Sequence, residues 1–263
     1  MSEPLSPSPP HSPVAAATLL LLRDAPDGVE VLMMIRHEGS GVGSGAMVFP
    51  GGKVDPADSA LREYCTSRDL DEPALTLRIA AIRETYEECG LLLGRTAGSD
   101  AYLSGEAVAA FHVRDGSAEA FAAAVAASPI QLATQDLVPL AHWITPAGAH
   151  KRFDTHFFVT AVPTDQVAQA DGHEAVEVVW TTPVAATAAA DAGSRYLMFP
   201  TYMNLRKLRH YTSVAAVLEA ARANPVFTVR PDITKKDTGL YVRLPVEAGY
   251  DMGKLPPGYF RAE

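Results

Sequence analysis

Arg83-Glu84-Thr85-Tyr86-Glu87-Glu88-Cys89-Gly90 places three carboxylates within five consecutive residues. Apolar residues at three- and four-residue steps predict a helix over residues 75–88, and in that helix Glu84, Glu87 and Glu88 project from one face. Three like charges at this spacing repel one another, so the face calls for a compensating cation. Hard divalent ions such as Mg²⁺ take carboxylate and phosphate oxygens as ligands. The stretch therefore predicts a metal-dependent phosphate site at these three residues.

A paired glycine lies upstream of the acidic stretch, in Phe49-Pro50-Gly51-Gly52. Paired glycines allow a sharp turn and a close approach of the backbone to a ligand or to another segment, although many simple hairpins contain the same pair. Asp58 follows Gly52 after five intervening residues. Lys53, directly after the glycines, and Arg152 are cations that could face an anionic substrate.

Hydrophobic periodicity and turn residues predict a chain that alternates strands and helices. The predicted strands are 15–23, 30–36, 47–49, 141–144, 153–162, 177–180, 227–230 and 239–244. The predicted helices are 75–88, 107–113, 118–127, 184–190, 201–209 and 213–222. Residues 1–13 are rich in Pro and Ser and read as a disordered tail.

The glycine pair, Asp58 and the stretch from Arg83 to Gly90 together resemble the signature of the Nudix hydrolases. The gap between Asp58 and Arg83 is longer than the family spacing. A long insertion at this point is also found in the branch of the mammalian peroxisomal coenzyme A diphosphatases. Further stretches that resemble this branch and its bacterial relatives are 77–85, 143–146 and 151–158.

The resemblance implies a fold and a division of the chain. The fold class is α/β: the Nudix fold, an α/β/α sandwich around a mixed β-sheet, with an insertion inside the signature and extra C-terminal helices and tail. The Nudix hydrolase domain would span residues 14–223, with the insertion at about 59–75. Residues 224–263 would form a C-terminal extension that packs on the domain or on a partner subunit.

The resemblance also implies roles for single residues. Glu84, Glu87 and Glu88 would bind Mg²⁺, for which Mn²⁺ could substitute, and Arg83 would orient the signature through Asp58. The base that deprotonates the attacking water would be one of the signature glutamates or a later glutamate, Glu174 or Glu177. Because alternate residues of a strand face opposite sides, these two later residues need not both reach the metal. The candidates for substrate binding are Arg36, Gly51, Gly52, Lys53 and Arg152.

A second signature, found before the glycine pair in many coenzyme A diphosphatases, is matched in part. Arg36 and Gly45 fall at its spacing, but Gly41 stands where a second arginine is expected. The resemblance favours hydrolysis of the pyrophosphate linkage of coenzyme A or acyl-coenzyme A. The missing arginine leaves open an ADP-ribose or dinucleotide pyrophosphatase. A non-catalytic, nucleotide-binding regulatory Nudix domain is a further alternative, against which the intact acidic triplet argues.

Composition narrows the partners and the compartment. The net charge is −9, and Lys and Arg are scattered, which disfavours nucleic-acid binding. The apolar runs are shorter than a membrane span, and Cys65 and Cys89 form neither a zinc spacing nor a disulfide framework. We therefore expect a cytoplasmic enzyme with a small-molecule nucleotide substrate. A homodimer is implied by the resemblance.

Overall fold

The computed structural model of the 263-residue chain describes residues 12–39, 43–67, 69–237, 239–253, 255, 256, 259, 261 and 262. Gly41, part of the second signature, lies outside the described residues. The same holds for residues 1–11 of the N-terminal tail.

A mixed eight-stranded sheet forms the centre of the molecule. Its strands are β1 (Val14–Ala25), β2 (Gly28–Arg36), β3 (Met47–Val48), β4 (Gly51–Lys53), β7 (Val138–Ile144), β8 (Phe153–Ala161), β9 (Ala175–Thr181) and β10 (Thr228–Val229). The order is β10-β7-β8-β1-β2-β3, with β4 paired to β1 and β9 paired to β2. The β1–β8 and β10–β7 pairs are parallel and the other pairs are antiparallel. Two further strands, β5 (Gly94–Thr96) and β6 (Ile130–Leu132), pair with each other.

Helices cover both faces of this sheet. They are α1 (Glu72–Cys89), α2 (Gly105–Ala109), α3 (Ala118–Ala126), α4 (Pro183–Asp191), α5 (Phe199–Leu208) and α6 (Val214–Ala223). The side chains of α1 and α3 pack into one apolar core, and those of α4, α5 and α6 pack into a second core on the opposite face. Leu19 and Leu21 of β1 enter the first core, and Leu20 and Leu22 enter the second. This alternation is typical of a strand that is buried on both sides. With helices packed on both faces of the sheet, the architecture is an α/β/α sandwich. The predicted fold class is confirmed.

The helix α1 begins three residues before the predicted start and is buried around most of its circumference. The side chain of Asp71 caps it by accepting a hydrogen bond from Ala74 N at 2.9 Å. Gly90 ends it with φ of 68°, and Gly90 N donates to Tyr86 O. The sequence pattern gave no indication that Glu88 of this helix would be buried, and its exposed fraction is only 3%. The backbone of β4 lies against that side of the helix, where Gly51 N donates to Glu88 Oε2.

The insertion between the two halves of the signature has an inner and an outer side. It begins within a 3₁₀ helix, Pro56–Tyr64, and continues to the start of α1. Its charged residues Arg62, Glu63 and Asp69 are exposed. Leu61 and Cys65 are buried in the same core as α1 and α3. The insertion is therefore integrated into the core as well as forming surface.

The C-terminal segment forms a small sheet of β11 (Asp232–Lys236), β12 (Gly239–Arg243) and β13 (Arg261–Ala262). Tyr250 joins this segment to the main sheet and to α5, because its hydroxyl donates to Asn204 Oδ1 at 2.7 Å and accepts from Trp143 Nε1 at 3.0 Å. Asp251 pairs with Arg206 of α5 at 2.7 Å. These contacts attach the segment to the domain of the same chain.

None of the described helices has both the length and the apolar character that a membrane crossing requires.

Candidate active site

The guanidinium of Arg83 organises the acidic cluster, and all five of its N–H groups donate hydrogen bonds. Nε and Nη2 donate to the two carboxylate oxygens of Asp58 at 2.7 and 3.0 Å. Nη1 donates to Glu84 Oε1 at 2.9 Å and to Glu87 Oε2 at 2.8 Å. Nη2 also donates to the carbonyl oxygen of Lys53 at 2.9 Å. The side chain of Arg83 is 5% exposed, so these charge-assisted bonds are largely shielded from water.

Asp58 is held in place independently of Arg83. Its Oδ2 accepts from Asp55 N at 2.8 Å, while Asp55 Oδ1 accepts from Ala57 N at 2.9 Å. This reciprocal capping box fixes the start of the 3₁₀ helix. The structure thus forms the Asp58–Arg83 contact that the resemblance implies. The longer chain between the two residues does not prevent it.

The glycine pair lets the backbone of β4 lie directly against α1. Gly51 has φ of 149° and pairs with Thr18 of β1, and an added β-carbon there would collide with the β1 backbone. Gly51 N donates to Glu88 Oε2 at 2.7 Å. A β-carbon at Gly52 would occupy the position of the Glu84 carboxylate. The two glycines therefore have distinct tasks: one donates to Glu88 and the other leaves room for Glu84.

Burial raises the pKa of all three glutamates of the cluster. The pKa of Glu87 rises from 4.5 to about 7, mainly through burial and then through the charge of Glu84, while Arg83 opposes the rise. Burial also raises the pKa of Glu84. The pKa of Glu88 lies well above 4.5 because of burial, with the charges of Glu84 and Glu174 adding to the effect and the Gly51 N–H opposing it. The folded protein thus holds these carboxylates together at a cost that comes first from their burial and then from charge repulsion.

One oxygen of the cluster lacks a protein partner. Glu87 Oε1 is buried and has no hydrogen bond among the described residues. A buried carboxylate oxygen without a donor requires an explanation, and a bound ion is one. Three closely spaced carboxylates, raised pKa values and an unpaired oxygen together fit a hard divalent cation. The residues present therefore suit the metal that the Nudix signature implies.

The carboxylates line a cleft of about 850 Å³. Its acidic lining residues are Glu84, Glu87, Glu88, Asp115, Asp165, Asp171 and Glu174. Its histidines are His112 and His173, and none of the described residues that line it is Lys or Arg. An anionic ligand would therefore meet a strongly negative wall unless cations were bound there.

The structure separates the two later glutamates. Glu174 lies in the cleft wall and within 3.8 Å of Arg36 Nη2. A turn fixes its backbone, because the carboxylate of Asp171 accepts hydrogen bonds from the N–H groups of residues 173, 174 and 175. Glu177 lies in β9 opposite Ile35 of β2, is exposed, and is not part of the cleft lining. The structure therefore brings Glu174, and not Glu177, to the carboxylate cluster.

The three basic candidates lie in different surroundings. Arg36 is close enough to the cluster for its charge to act on Glu88, and its Nε is buried without a hydrogen bond among the described residues. Lys53 is exposed and follows Gly52 in β4, so its side chain projects from the opposite face of the strand. Arg152 donates from Nε to the carbonyl oxygens of Thr145 and Pro146 at 3.1 Å. Neither Lys53 nor Arg152 lines the cleft.

An aromatic and apolar wall of the cleft was not predicted. It includes Tyr86, Val108 and Phe111. Tyr86 OH donates to Phe111 O at 2.8 Å, and the two rings meet edge to face at a centroid distance of 5.3 Å. The sequence pattern placed Phe111 inside a helix, but α2 ends at Ala109 and Phe111 belongs to the loop that follows. Such a wall can pack against an apolar part of a ligand.

Comparisons with known proteins agree with this geometry. The family model of the NUDT19 Nudix domain matches residues 66–208, more than half of the chain. The chain belongs to the Nudix hydrolase family. The crystal structure of a NUDIX hydrolase from Alicyclobacillus acidocaldarius is 25% identical, covers 79% of this chain and 96% of its own, and has a TM-score of 0.66. The chain is accordingly a pyrophosphohydrolase, as predicted.

Two more distant structures are similar over comparable lengths. A binary complex of the C. elegans Ap4A hydrolase is 18% identical with a TM-score of 0.41, and covers 79% of this chain and 98% of its own. The NUDIX domain of Shewanella oneidensis NrtR in complex with ADP ribose is 13% identical with a TM-score of 0.43, and covers 76% of this chain and 88% of its own.

The raised pKa of Glu87 predicts how the stability of this Nudix hydrolase depends on pH and on metal. The folded state binds the proton of the Glu87 carboxyl more tightly than the unfolded state does. The resulting stabilisation is therefore fully present below pH 4.5 and is lost as the pH rises through about 7. Added Mg²⁺ would bind the deprotonated cluster and offset the loss. We expect Mg²⁺ to raise the melting temperature more at about pH 8 than at about pH 5.

Scanning calorimetry of the chelator-treated protein with and without Mg²⁺ measures this difference. The Glu87→Gln variant is the control, since it removes one of the three groups with a raised pKa and should weaken the pH dependence of the metal-free protein. An equal Mg²⁺ effect at both pH values would contradict the prediction.

Proposed function

We propose that the protein hydrolyses the pyrophosphate linkage of coenzyme A or acyl-coenzyme A in a Mg²⁺-dependent reaction. The observation that carries the proposal is the arrangement of Glu84, Glu87 and Glu88 around Arg83 at the wall of the large cleft, with Glu87 Oε1 left without a protein partner. Glu84, Glu87 and Glu88 are the proposed ligands of the metal, and Mn²⁺ is a proposed substitute for Mg²⁺.

The charge of the cleft supports metal dependence. A diphosphate is anionic, and the described lining of the cleft contains seven carboxylates and no Lys or Arg. Repulsion between like charges would exclude such a substrate from the metal-free cleft. When bound, a divalent cation neutralises the charge on the diphosphate oxygens and polarises the attacking water.

The residues of the chain prepare this reaction by fixing the carboxylates before substrate arrives. The Nη1 group of Arg83 holds one oxygen of Glu84 and one of Glu87, and the Gly51 N–H holds Oε2 of Glu88. Ligand positions that are set in advance need little reorganisation during the reaction. Arg83 is thus proposed to act through the glutamates and not on the substrate.

Glu174 is the proposed acceptor of the proton from the attacking water. It lies in the cleft wall, its charge acts on both Glu84 and Glu88, and the Asp171 turn fixes its backbone. Arg36 Nη2 lies 3.8 Å from a carboxylate oxygen of Glu174. Glu177, which does not line the cleft, is not assigned a part in the reaction.

The choice of substrate rests on sequence resemblance and on the shape of the cleft. The interrupted signature resembles that of the coenzyme A diphosphatases. A volume of about 850 Å³ and the wall formed by Tyr86, Val108 and Phe111 accommodate a nucleotide with an apolar extension. The glycine at position 41, where an arginine is expected, favours the second candidate, an ADP-ribose or dinucleotide pyrophosphatase. A homodimer and a cytoplasmic location stay predictions.

Turnover of a substrate panel tests the proposal. The purified protein is incubated with Mg²⁺ and, in turn, coenzyme A, acetyl-coenzyme A, ADP-ribose, NADH, FAD and diadenosine polyphosphates. We expect turnover of the coenzyme A compounds, and we expect Glu88→Gln to lower kcat at least about 100-fold because a positioned electrostatic group is lost. Glu63 is exposed in the insertion, so Glu63→Gln is a matched control and should keep the wild-type rate.

The outcomes of this assay are distinct. Turnover of ADP-ribose or dinucleotides without coenzyme A would support the second candidate. Metal-dependent binding of a nucleotide without turnover would support the regulatory alternative. Full activity of Glu88→Gln would show that the proposed metal ligands are misassigned.

The pair Glu174→Gln and Glu177→Gln tests the proposed base. We expect Glu174→Gln to reduce kcat by about 10²–10⁴-fold, the range for loss of general-base catalysis, and Glu177→Gln to leave it nearly unchanged. The two substitutions are chemically identical and lie three residues apart, so only their positions differ. The measurement is kcat at saturating substrate and Mg²⁺. Equal rates for the two variants would contradict the assignment of Glu174.

A further inference from the structure

A row of register partners crosses five strands of the central sheet beside the carboxylate cluster. Gly52 of β4 pairs with Ala17 of β1, and Ala17 pairs with His156 of β8. His156 pairs with His142 of β7, which pairs with Thr228 of β10. Residues in one row project from the same face of a sheet. The side chains of His142 and His156 therefore lie next to each other.

Asp154 completes a cluster with these two histidines. It is two residues before His156 in β8 and so lies on the same face. Its Oδ1 is 2.5 Å from His142 Nε2 and 3.7 Å from His156 Nε2. The two imidazole rings are stacked with centroids 4.0 Å apart. One ligand atom from each residue lies within 4.8 Å of the others.

We propose that His142, Asp154 and His156 form a second cation site, which takes a divalent transition metal such as Zn²⁺. Imidazole nitrogens suit Zn²⁺ and related ions, whereas Mg²⁺ prefers oxygen ligands and waters. Two histidines and one carboxylate are also a ligand set found in catalytic zinc proteins. The proposed site therefore differs in metal preference from the all-glutamate cluster of the cleft.

The ligand separations are close to those around a bound ion, and a rotation of the stacked imidazole rings would direct both nitrogens toward it. Zn²⁺ binds histidine nitrogen at about 2.0–2.1 Å and carboxylate oxygen at about 2.0–2.2 Å, so ligands at tetrahedral angles lie roughly 3.3–3.5 Å apart. The observed separations of 2.5 and 3.7 Å lie on either side of this value. The side chains of Asp154 and His156 are 36% and 34% exposed. This exposure gives an ion access and leaves a coordination position for water.

Thr228 contacts His142 at the ring nitrogen that does not face the proposed ion. His142 Nδ1 is 2.8 Å from Thr228 Oγ1, opposite the nitrogen that faces Asp154. A threonine hydroxyl can both donate and accept. Without metal, Nε2–H of His142 donates to Asp154 and the hydroxyl donates to Nδ1. With metal on Nε2, the ring proton moves to Nδ1 by exchange with water, and Nδ1–H then donates to the Thr228 hydroxyl. A metal-bound histidine usually donates its second ring N–H to a neighbouring group in this way.

A positive and a negative side chain near His156 have opposite effects on the binding of a cation. The guanidinium of Arg78 acts electrostatically on His156 and disfavours a nearby cation. Arg78 is, however, held by the carbonyl oxygens of Ala74 and Leu137, and its guanidinium lies over the ring of Phe158. Asp154 provides the compensating negative charge within the cluster itself.

The proposed site is separate from the carboxylate cluster. Gly52, which abuts Glu84, is two strands away from His156 in the row, a Cα separation of about 10 Å at the usual strand spacing. None of His142, Asp154 and His156 lines the cleft that holds the glutamates. Binding at the histidines can be tested independently of catalysis.

The test is a titration of the full-length, chelator-treated protein with Zn²⁺ in an excess of Mg²⁺, followed by calorimetry, and with Co²⁺, followed by its visible absorption. We expect one equivalent bound by the wild type. His156→Asn should weaken binding at least about 100-fold, and Thr228→Val should weaken it about 10–100-fold, the range for outer contacts of a ligand. His112→Asn, which changes a histidine of the cleft, and Glu88→Gln should leave the affinity unchanged.

Circular dichroism and the melting temperature of each variant in chelator report whether it folds. If His156→Asn does not fold, Thr228→Val decides, because it keeps the shape of a β-branched strand residue. Absence of Zn²⁺ binding by the wild type would overturn the proposal. So would unchanged affinity in Thr228→Val and His156→Asn, or loss of the bound equivalent in Glu88→Gln.

Discussion

The bidentate pair between Arg83 and Asp58 is the interaction on which the active-site region depends. Arg83 is almost fully buried, and its guanidinium also contacts two glutamates of α1 and the backbone of β4 at Lys53. A buried charge of this kind is stable only when its hydrogen-bonding groups are satisfied, and here every N–H is used. One side chain thus joins the 3₁₀ helix, β4 and α1, and it partly neutralises glutamates that burial and mutual repulsion would otherwise protonate.

This arrangement explains how the signature tolerates a long interruption. The residues between Asp58 and Arg83 form most of the 3₁₀ helix, a connection and the first turns of α1, with Leu61 and Cys65 packed into the core. What the site requires is that the two side chains meet, and a capping box at Asp55 and Asp58 orients the acid locally. The number of residues between them is therefore free to vary, provided that the added segment buries its own apolar side chains.

The sequence predicted much of this structure for identifiable reasons. Apolar residues at three- and four-residue steps located α1, apolar runs of strand length located the buried strands β1 and β8, and the motif identified Arg83 and the glutamates. Short strands such as β4 and β5, three residues each, are stabilised by pairing with distant segments, which periodicity cannot reveal. The burial of Glu88 was missed because it depends on how closely the Gly51–Gly52 backbone approaches α1. The His142–Asp154–His156 cluster arises from the register of β7 and β8, and residues 12 and 14 positions apart along the chain give no local signal of it.

The unfolding free energy and Mg²⁺ affinity of Arg83→Lys test the central interaction most directly. Lysine keeps the charge but cannot make the paired contacts to Asp58 or reach the two glutamates at the same time. We expect a loss of about 3–5 kcal/mol of stability, typical of a broken buried pair, together with weaker Mg²⁺ binding. Arg62→Lys, at an exposed position of the insertion, should change stability by less than about 0.5 kcal/mol. Equal stability and equal Mg²⁺ affinity in the two variants would contradict the role given to the Arg83–Asp58 pair.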